Sequence, residues 1–306
     1  MKVNWTLLIV LVLSLVVLGL TVLGLRGWNR NYRAKIGKEK GLAAFEQKQW
    51  PEAAQFLGQY LGVHQDDTEI LLKYAQAQMS IKPAKQANLN QAVNAYRAIL
   101  RQGEHVEAAK NLIGIYLWIA GLPGEGQLTA ERFLEKQNNA EIRQLLAACM
   151  IQQKQYDKAI EQLNQVLKDD PTLVPAYDLL AQVMEQKGGD AAQTELYLTQ
   201  AIEKNPTSAI AYIQRANYRI RAGKQQEAVE DLTQAGKCDL NKTDVKILLA
   251  EAWLKANQPE QTQAILEDVL SKEPDNVSAW LLRARMVLAA GKPEDMAAAA
   301  EEGLKA

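Results

Sequence analysis

The side chains best suited to metal ligation or nucleophilic chemistry are few and scattered. Two histidines, His64 and His105, and two cysteines, Cys149 and Cys238, occur in 306 residues, and none pairs with another at a metal-ligand spacing. So few cysteines, so far apart, exclude a disulfide framework and a four-thiolate site. Each histidine stands in or near a linker with no second ligand at helical spacing, so both are expected to be solvated loop residues. None of Ser14, Ser80, Ser208, Ser271 and Ser278 lies in a Gly-x-Ser-x-Gly elbow. The acidic pairs Asp66-Asp67, Asp169-Asp170 and Glu301-Glu302 fall where helix capping and solvation account for them. Gly121, Gly124 and Gly126 hold one Gly-x-Gly, but it follows a helical pattern and not a strand, so it reads as a turn and not as a phosphate cradle. The sequence therefore predicts no enzyme, no cofactor and no metal, and function must lie in surface recognition.

The elements around these residues belong to a folded protein. The composition is 48% hydrophobic, and 35 basic residues nearly balance 36 acidic ones. The distribution is uneven: residues 26–40 carry Arg26, Arg30, Arg33, Lys35, Lys38 and Lys40 against Glu39, and the remainder is acidic. An acidic body argues against a nucleic-acid partner, which clustered Lys and Arg would serve.

Before the basic cluster, Asn4 to Leu25 has no charged side chain. A helix over 5–25 is long enough for a hydrocarbon core of about 30 Å. Trp5 and Trp28 stand at its ends, as interfacial aromatics do. A cleaved secretory signal would have a shorter apolar region and an Ala-x-Ala-like site, neither of which is present. We therefore expect a four-residue tail (1–4), a single transmembrane helix (5–25) and a basic juxtamembrane segment (26–33). Ser14, Gly19 and Gly24 recur every five positions and do not form the four-residue spacing of close helix pairing. The basic flank favours a cytoplasmic repeat body, with a periplasmic one as the alternative, and it also suits anionic headgroups.

Beyond Gly41 the chain is periodic. Pro171, Pro206, Leu240 and Pro274 recur 34 or 35 residues apart, and so do Ala147, Ala181, Ala216, Ala250 and Ala284. Ile142, Leu145, Leu146 and Cys149 form one helical stripe; Ile160, Leu163, Val166 and Leu167 form another. Neither stripe can be buried by one hairpin, so neighbouring units must stack.

These features resemble the tetratricopeptide repeat family, whose unit is an antiparallel helix pair. The resemblance is clearest in Gln155-Tyr156-Asp157-Lys158-Ala159-Ile160 with Asp170-Pro171, and in Ser278-Ala279-Trp280 followed by Ala284 and Gly291. Ala53, Ala92, Ala159 and Ala228 match the family's second-helix alanine; Thr194, Thr262 and Met296 depart from it. The resemblance implies an all-α, right-handed solenoid over 34–306, in units 34–67, 68–104, 105–139, 140–173, 174–208, 209–242, 243–276 and 277–306. The second unit has extra residues around Ile81 to Lys85, and the third turns at Gly121 to Gly126. The last helix would expose Met296, Ala299, Ala300 and Leu304.

In this family the first helices line a concave groove. That implies Gln182, Gln186, Asn217, Arg221, Glu251, Lys255 and Arg285 face into it here. Asn217, Arg221, Lys255 and Arg285 together match the oxygens of a carboxylate or an acidic peptide. Ile213 and Ile247 stand where the clamp for chaperone carboxy-termini needs lysine, which argues against that ligand; Tyr177, Tyr212 and Trp280 match structural aromatic positions. The expected function is a membrane-tethered protein-binding scaffold. Bacterial assembly factors for outer-membrane components and for cytochrome maturation share this architecture of one anchor followed by repeats. A regulatory or substrate-binding part of a larger enzyme, and a secreted solenoid released by cleavage, are the alternatives.

Overall fold

The computed structural model describes residues 5–290, with the side chains of 5–17, 19–20 and 22–24 outside the description. Among the described residues the chain is entirely helical. The helices are α1 (Trp5–Glu46), α2 (Trp50–Leu61), α3 (Thr68–Ser80), α4 (Gln86–Gln102), α5 (Val106–Gly114), α6 (Pro123–Leu134), α7 (Ala140–Gln152), α8 (Tyr156–Asp169), α9 (Val174–Gln186), α10 (Ala191–Lys204), α11 (Ala209–Arg221), α12 (Gln225–Ala235), α13 (Thr243–Lys255), α14 (Pro259–Lys272) and α15 (Val277–Ala289). The chain divides into two compact units, residues 1–145 and 146–306.

Within each unit, consecutive helices pack as antiparallel pairs. A single left-handed residue reverses the chain in the tight turns: Lys48, Gly121, Lys154, Gly188, Gly223 and Asn257 all have φ between 56° and 76°. The pair α3–α4 has the longer turn Ile81 to Lys85 in place of such a residue. Side-chain caps open the next helices. Asp67 accepts from the Ile70 amide, Ser208 from Ala211 and Asn276 from Ala279. Asp67 also accepts from Lys38 Nζ at 2.9 Å and from the Tyr60 hydroxyl at 2.8 Å, so one carboxylate ties α1, α2 and α3 together.

Small residues sit where helices touch. Ala147, Ala181, Ala216 and Ala250 are buried, as are Ala53, Ala92, Ala159 and Ala228. Thr194 and Thr262 occupy the same second-helix place and are also buried, because each is small and its hydroxyl is bonded. Thr194 donates to Asp190 O, and Thr262 lies within bonding distance of Ala250 O and Gln258 O.

The third pair differs from expectation. After Gly114 the helix widens into a π-helical turn, Ile115–Ile119, in which the Ala120 amide donates to Ile115 O. The turn expected over Gly121 to Gly126 is shorter, since Pro123 already opens α6. Proline suits a first helical turn, where its missing amide leaves nothing unsatisfied. Gly126 is buried at the place that alanine takes in other pairs.

Among the described residues, no helix is long and apolar enough to cross a membrane. The expected span, 5–25, falls on side chains outside the description except Leu18, Thr21 and Leu25, and its backbone is the first half of α1. The tail 1–4, Met296, Ala299, Ala300 and Leu304, and Glu301-Glu302 also lie outside the described residues.

Candidate functional site

A groove with a mostly polar lining in the second unit is built by three first helices, α9, α11 and α13. Helical spacing puts Asp178, Gln182, Glu185 and Gln186 on one face of α9 and Ile210, Ile213, Gln214, Asn217 and Arg221 on one face of α11. With Leu248 and Lys255 of α13 they line a cavity of about 510 Å³. Five residues expected from the sequence to face the groove, Gln182, Gln186, Asn217, Arg221 and Lys255, thus meet in one cavity. Arg285 lies one helix further on, in α15, and does not line it.

The structure adds what those cations hold. Arg221 makes a two-pronged contact with Glu185, at 2.7 and 3.4 Å. Lys255 and Arg285 share Glu251, at 3.4 and 3.1 Å. The expected cluster is therefore not a set of waiting cations: every one already has a carboxylate. Glu251 shows the consequence, because burial opposes its ionisation but Arg285 and Lys255 outweigh it and lower its pKa.

Two groove atoms are unpartnered. Gln214 Oε1 and Asn217 Oδ1, one turn apart on α11, are sealed from solvent and accept no hydrogen bond among the described residues. Both are acceptors beside the apolar Ile210, Ile213 and Leu248. That combination is matched by a ligand bringing N–H donors together with carboxylates able to exchange with Glu185 and Glu251.

Asp178 has the opposite electrostatics to Glu251. Burial raises its pKa, and Glu185 adds to the rise, while Arg221 and the 3.1 Å bond from Gln182 act against it. A carboxyl with a raised folded pKa adds stability below its unfolded value and withdraws it as pH rises through the folded value. Asp178→Asn is therefore expected to raise the melting temperature at pH 7 and to leave it unchanged or lower near pH 3. Melting curves at the two pH values check the sign.

Sequence reasoning missed Asp178, Gln214, Ile210, Leu248 and the role of Glu185. A signal for part of this was present, since Glu185 and Arg221, and Glu251 and Arg285, are opposite charges one repeat apart. The histidines also differ from expectation. His105 caps α5 by accepting from the Ala108 amide, and His64 stacks on Tyr60 at 4.5 Å, so each is a half-buried structural partner. Burial pushes the Cys149 thiol up to about 12, which keeps it unreactive. Among the described residues, no three His, Cys, Asp or Glu side chains are placed to hold a metal ion.

Antiparallel helix pairs with small residues at their contacts and a polar groove on the first helices define an all-α helix-pair repeat protein. The pairs within 130–286 match tetratricopeptide repeats: one model of that family matches residues 130–183 and 219–286, and a second tetratricopeptide repeat model matches 197–230. No curated protein matches the chain. Among solved structures it is similar to MamA, with 19% identity, 57% of this chain and 93% of that chain covered, and a TM-score of 0.49. It is similar to a tetratricopeptide repeat protein from Parabacteroides merdae, with 16% identity, 78% and 92% coverage and a TM-score of 0.47. It is also similar to PilW, a type IV pilus biogenesis factor, with 13% identity, 81% and 97% coverage and a TM-score of 0.44.

Proposed function

We propose that this protein is a non-catalytic, membrane-tethered scaffold that holds a segment of a partner protein in the groove of α9, α11 and α13. The process would be one of envelope assembly, secretion or complex maturation. Tetratricopeptide repeats generally act as protein–protein interaction scaffolds. The observation that carries the reading is the pair of buried, unpartnered acceptors, Gln214 Oε1 and Asn217 Oδ1, beside Arg221 and Lys255. Main-chain amides of an extended segment satisfy such acceptors, and acidic side chains of that segment exchange with Glu185 and Glu251 for the cations.

Tethering is supported by the uncharged run at 5–25 between Trp5 and Trp28 and by the basic residues that follow it. These favour a single pass through a bacterial inner membrane with the repeats on the cytoplasmic side. Proximity labelling from the full chain tests the groove. Asn217→Ala is expected to weaken capture about fivefold, the worth of one hydrogen bond. The combined Arg221→Ala, Lys255→Ala and Arg285→Ala variant should lose the leading labelled proteins, and an unchanged set in both variants sinks the groove reading. Release of the intact chain from membranes by alkaline carbonate sinks the tether.

A further inference from the structure

A second cavity lies in the first unit. It is a cleft of about 460 Å³ between α4 and α6, over α5. An ion pair closes each end: Arg97 with Glu125 at 3.7 Å, and Glu104 with Lys136 at 2.8 Å. Between these two ties the walls carry Arg101 on α4 and Arg132 on α6, and neither makes an ion pair or hydrogen bond among the described residues. The floor is apolar, made by Leu100, Leu112 and Phe133.

The cleft also contains a buried polar atom with nothing to bind. Tyr116, in the π-helical turn, is only 4% exposed, and its hydroxyl meets no hydrogen-bond partner in good geometry among the described residues. Arg97 lies over the ring, 5.7 Å from its centre, and its charge opposes the rise in the phenol's pKa that burial causes. A buried hydroxyl left unbonded is unfavourable, and π-helical turns concentrate at functional sites. Among the described residues Glu135 is the one carboxylate of the lining with no cation of its own, so two unpaired guanidinium groups face one unpaired acid.

We propose that this cleft binds a small apolar monocarboxylate, its head group between Arg101 and Arg132 and accepting from the Tyr116 hydroxyl, its hydrocarbon on Leu100, Leu112 and Phe133. Guanidinium groups bind carboxylates through paired N–H donors, and the phenol supplies a further donor from inside the floor. A compact dianion would leave the floor uncovered, and a neutral alkyl chain would leave the arginines and the phenol unmatched. A monocarboxylate with a short hydrocarbon chain answers both.

The test is calorimetric titration of octanoate into the full chain in phosphatidylcholine nanodiscs, with empty nanodiscs subtracted. Saturable binding at one site is expected, with acetate and octanol each at least about tenfold weaker because each lacks half of the match. Tyr116→Phe should weaken octanoate about tenfold, and the combined Arg101→Gln and Arg132→Gln variant about a hundredfold, as hydrogen bonds to a charged group predict. Octanoate should raise the melting temperature of the native chain and not of the double variant. Tyr116→Phe alone should not lower it, since it removes an unbonded hydroxyl. Heat indistinguishable from empty nanodiscs, equal binding of octanol, or unchanged affinity in both variants overturns the proposal. Tighter binding of a leucine-ended peptide than of octanoate overturns the small-molecule assignment. The groove variants bear on none of these readouts.

Discussion

Replacing Asp231 by alanine is expected to destabilise the second unit by about 3–5 kcal/mol, the cost of leaving buried charge uncompensated. Asp231 is 2% exposed and sits on α12. Arg215 of α11 grips it with two bonds, at 3.0 and 2.7 Å, and Arg219 adds a third at 2.8 Å. Arg215 reaches Thr199 and Arg219 reaches Glu195, so the network joins α10, α11 and α12. Removing the carboxylate strips Arg215 of its only anionic partner among the described residues while leaving the guanidinium where it is. Stability in helix-pair repeats is a sum of local terms, so the damage should be local. Hydrogen exchange is expected to show α10 to α12 losing protection while α2 to α4 keep theirs. Uniform loss along the chain, or none, would count against the network as the tie.

Gly41→Val is expected to cost about 1–3 kcal/mol, as overpacking does, and to act at the start of the repeats. A Cβ at Gly41 would lie 2.6 Å from Leu57 Cδ2 and 2.9 Å from the Leu57 backbone nitrogen, and Leu57 is fully buried. Gly37, one turn earlier, faces Phe56 O at 3.1 Å. The two glycines let α1 lie directly on α2, and because a backbone atom is among the contacts, rotamer changes alone cannot make room. Gly27→Ala is the control: nothing lies within 4 Å of its Cβ, so relief of glycine's helix penalty should stabilise α1 by up to about 1 kcal/mol. Thermal melts of the two variants moving in the same direction would contradict the packing argument.

The helical repeat was readable because its cause is periodic. Close helix contacts need small residues, and Ala147, Ala181, Ala216 and Ala250 announce them. Thr194 and Thr262 look like departures only when chemical type is read instead of volume, since both are buried with their hydroxyls bonded. The π-helical turn at Ile115 to Ile119 left no such mark, because one extra residue in a helical turn changes hydrogen-bond partners without changing composition. For the groove, helical spacing was enough to collect Asn217, Arg221 and Lys255. Which carboxylates they hold depends on neighbouring pairs packing side by side, a relation between residues about one repeat apart that a stripe on a single helix does not display. The network of Arg215, Arg219 and Asp231 was missed for a similar reason. Charged residues in a helical pattern read as solvated until the partner helix that covers them is known.

α1 runs from Trp5 to Glu46 as one helix of 42 residues, and its last turns are the first helix of the repeats. At about 1.5 Å per residue it is a rod of roughly 63 Å without a hinge. A flexible linker would let the first repeat swivel, whereas a continuous helix transmits rotation from one end to the other. Each residue inserted between 26 and 33 would lengthen the rod by about 1.5 Å and turn the α1–α2 pair by about 100° relative to the apolar end. The number of residues in that stretch thus acts as an azimuthal setting, in which a seven-residue insertion nearly restores the original heading and a two-residue insertion nearly reverses it.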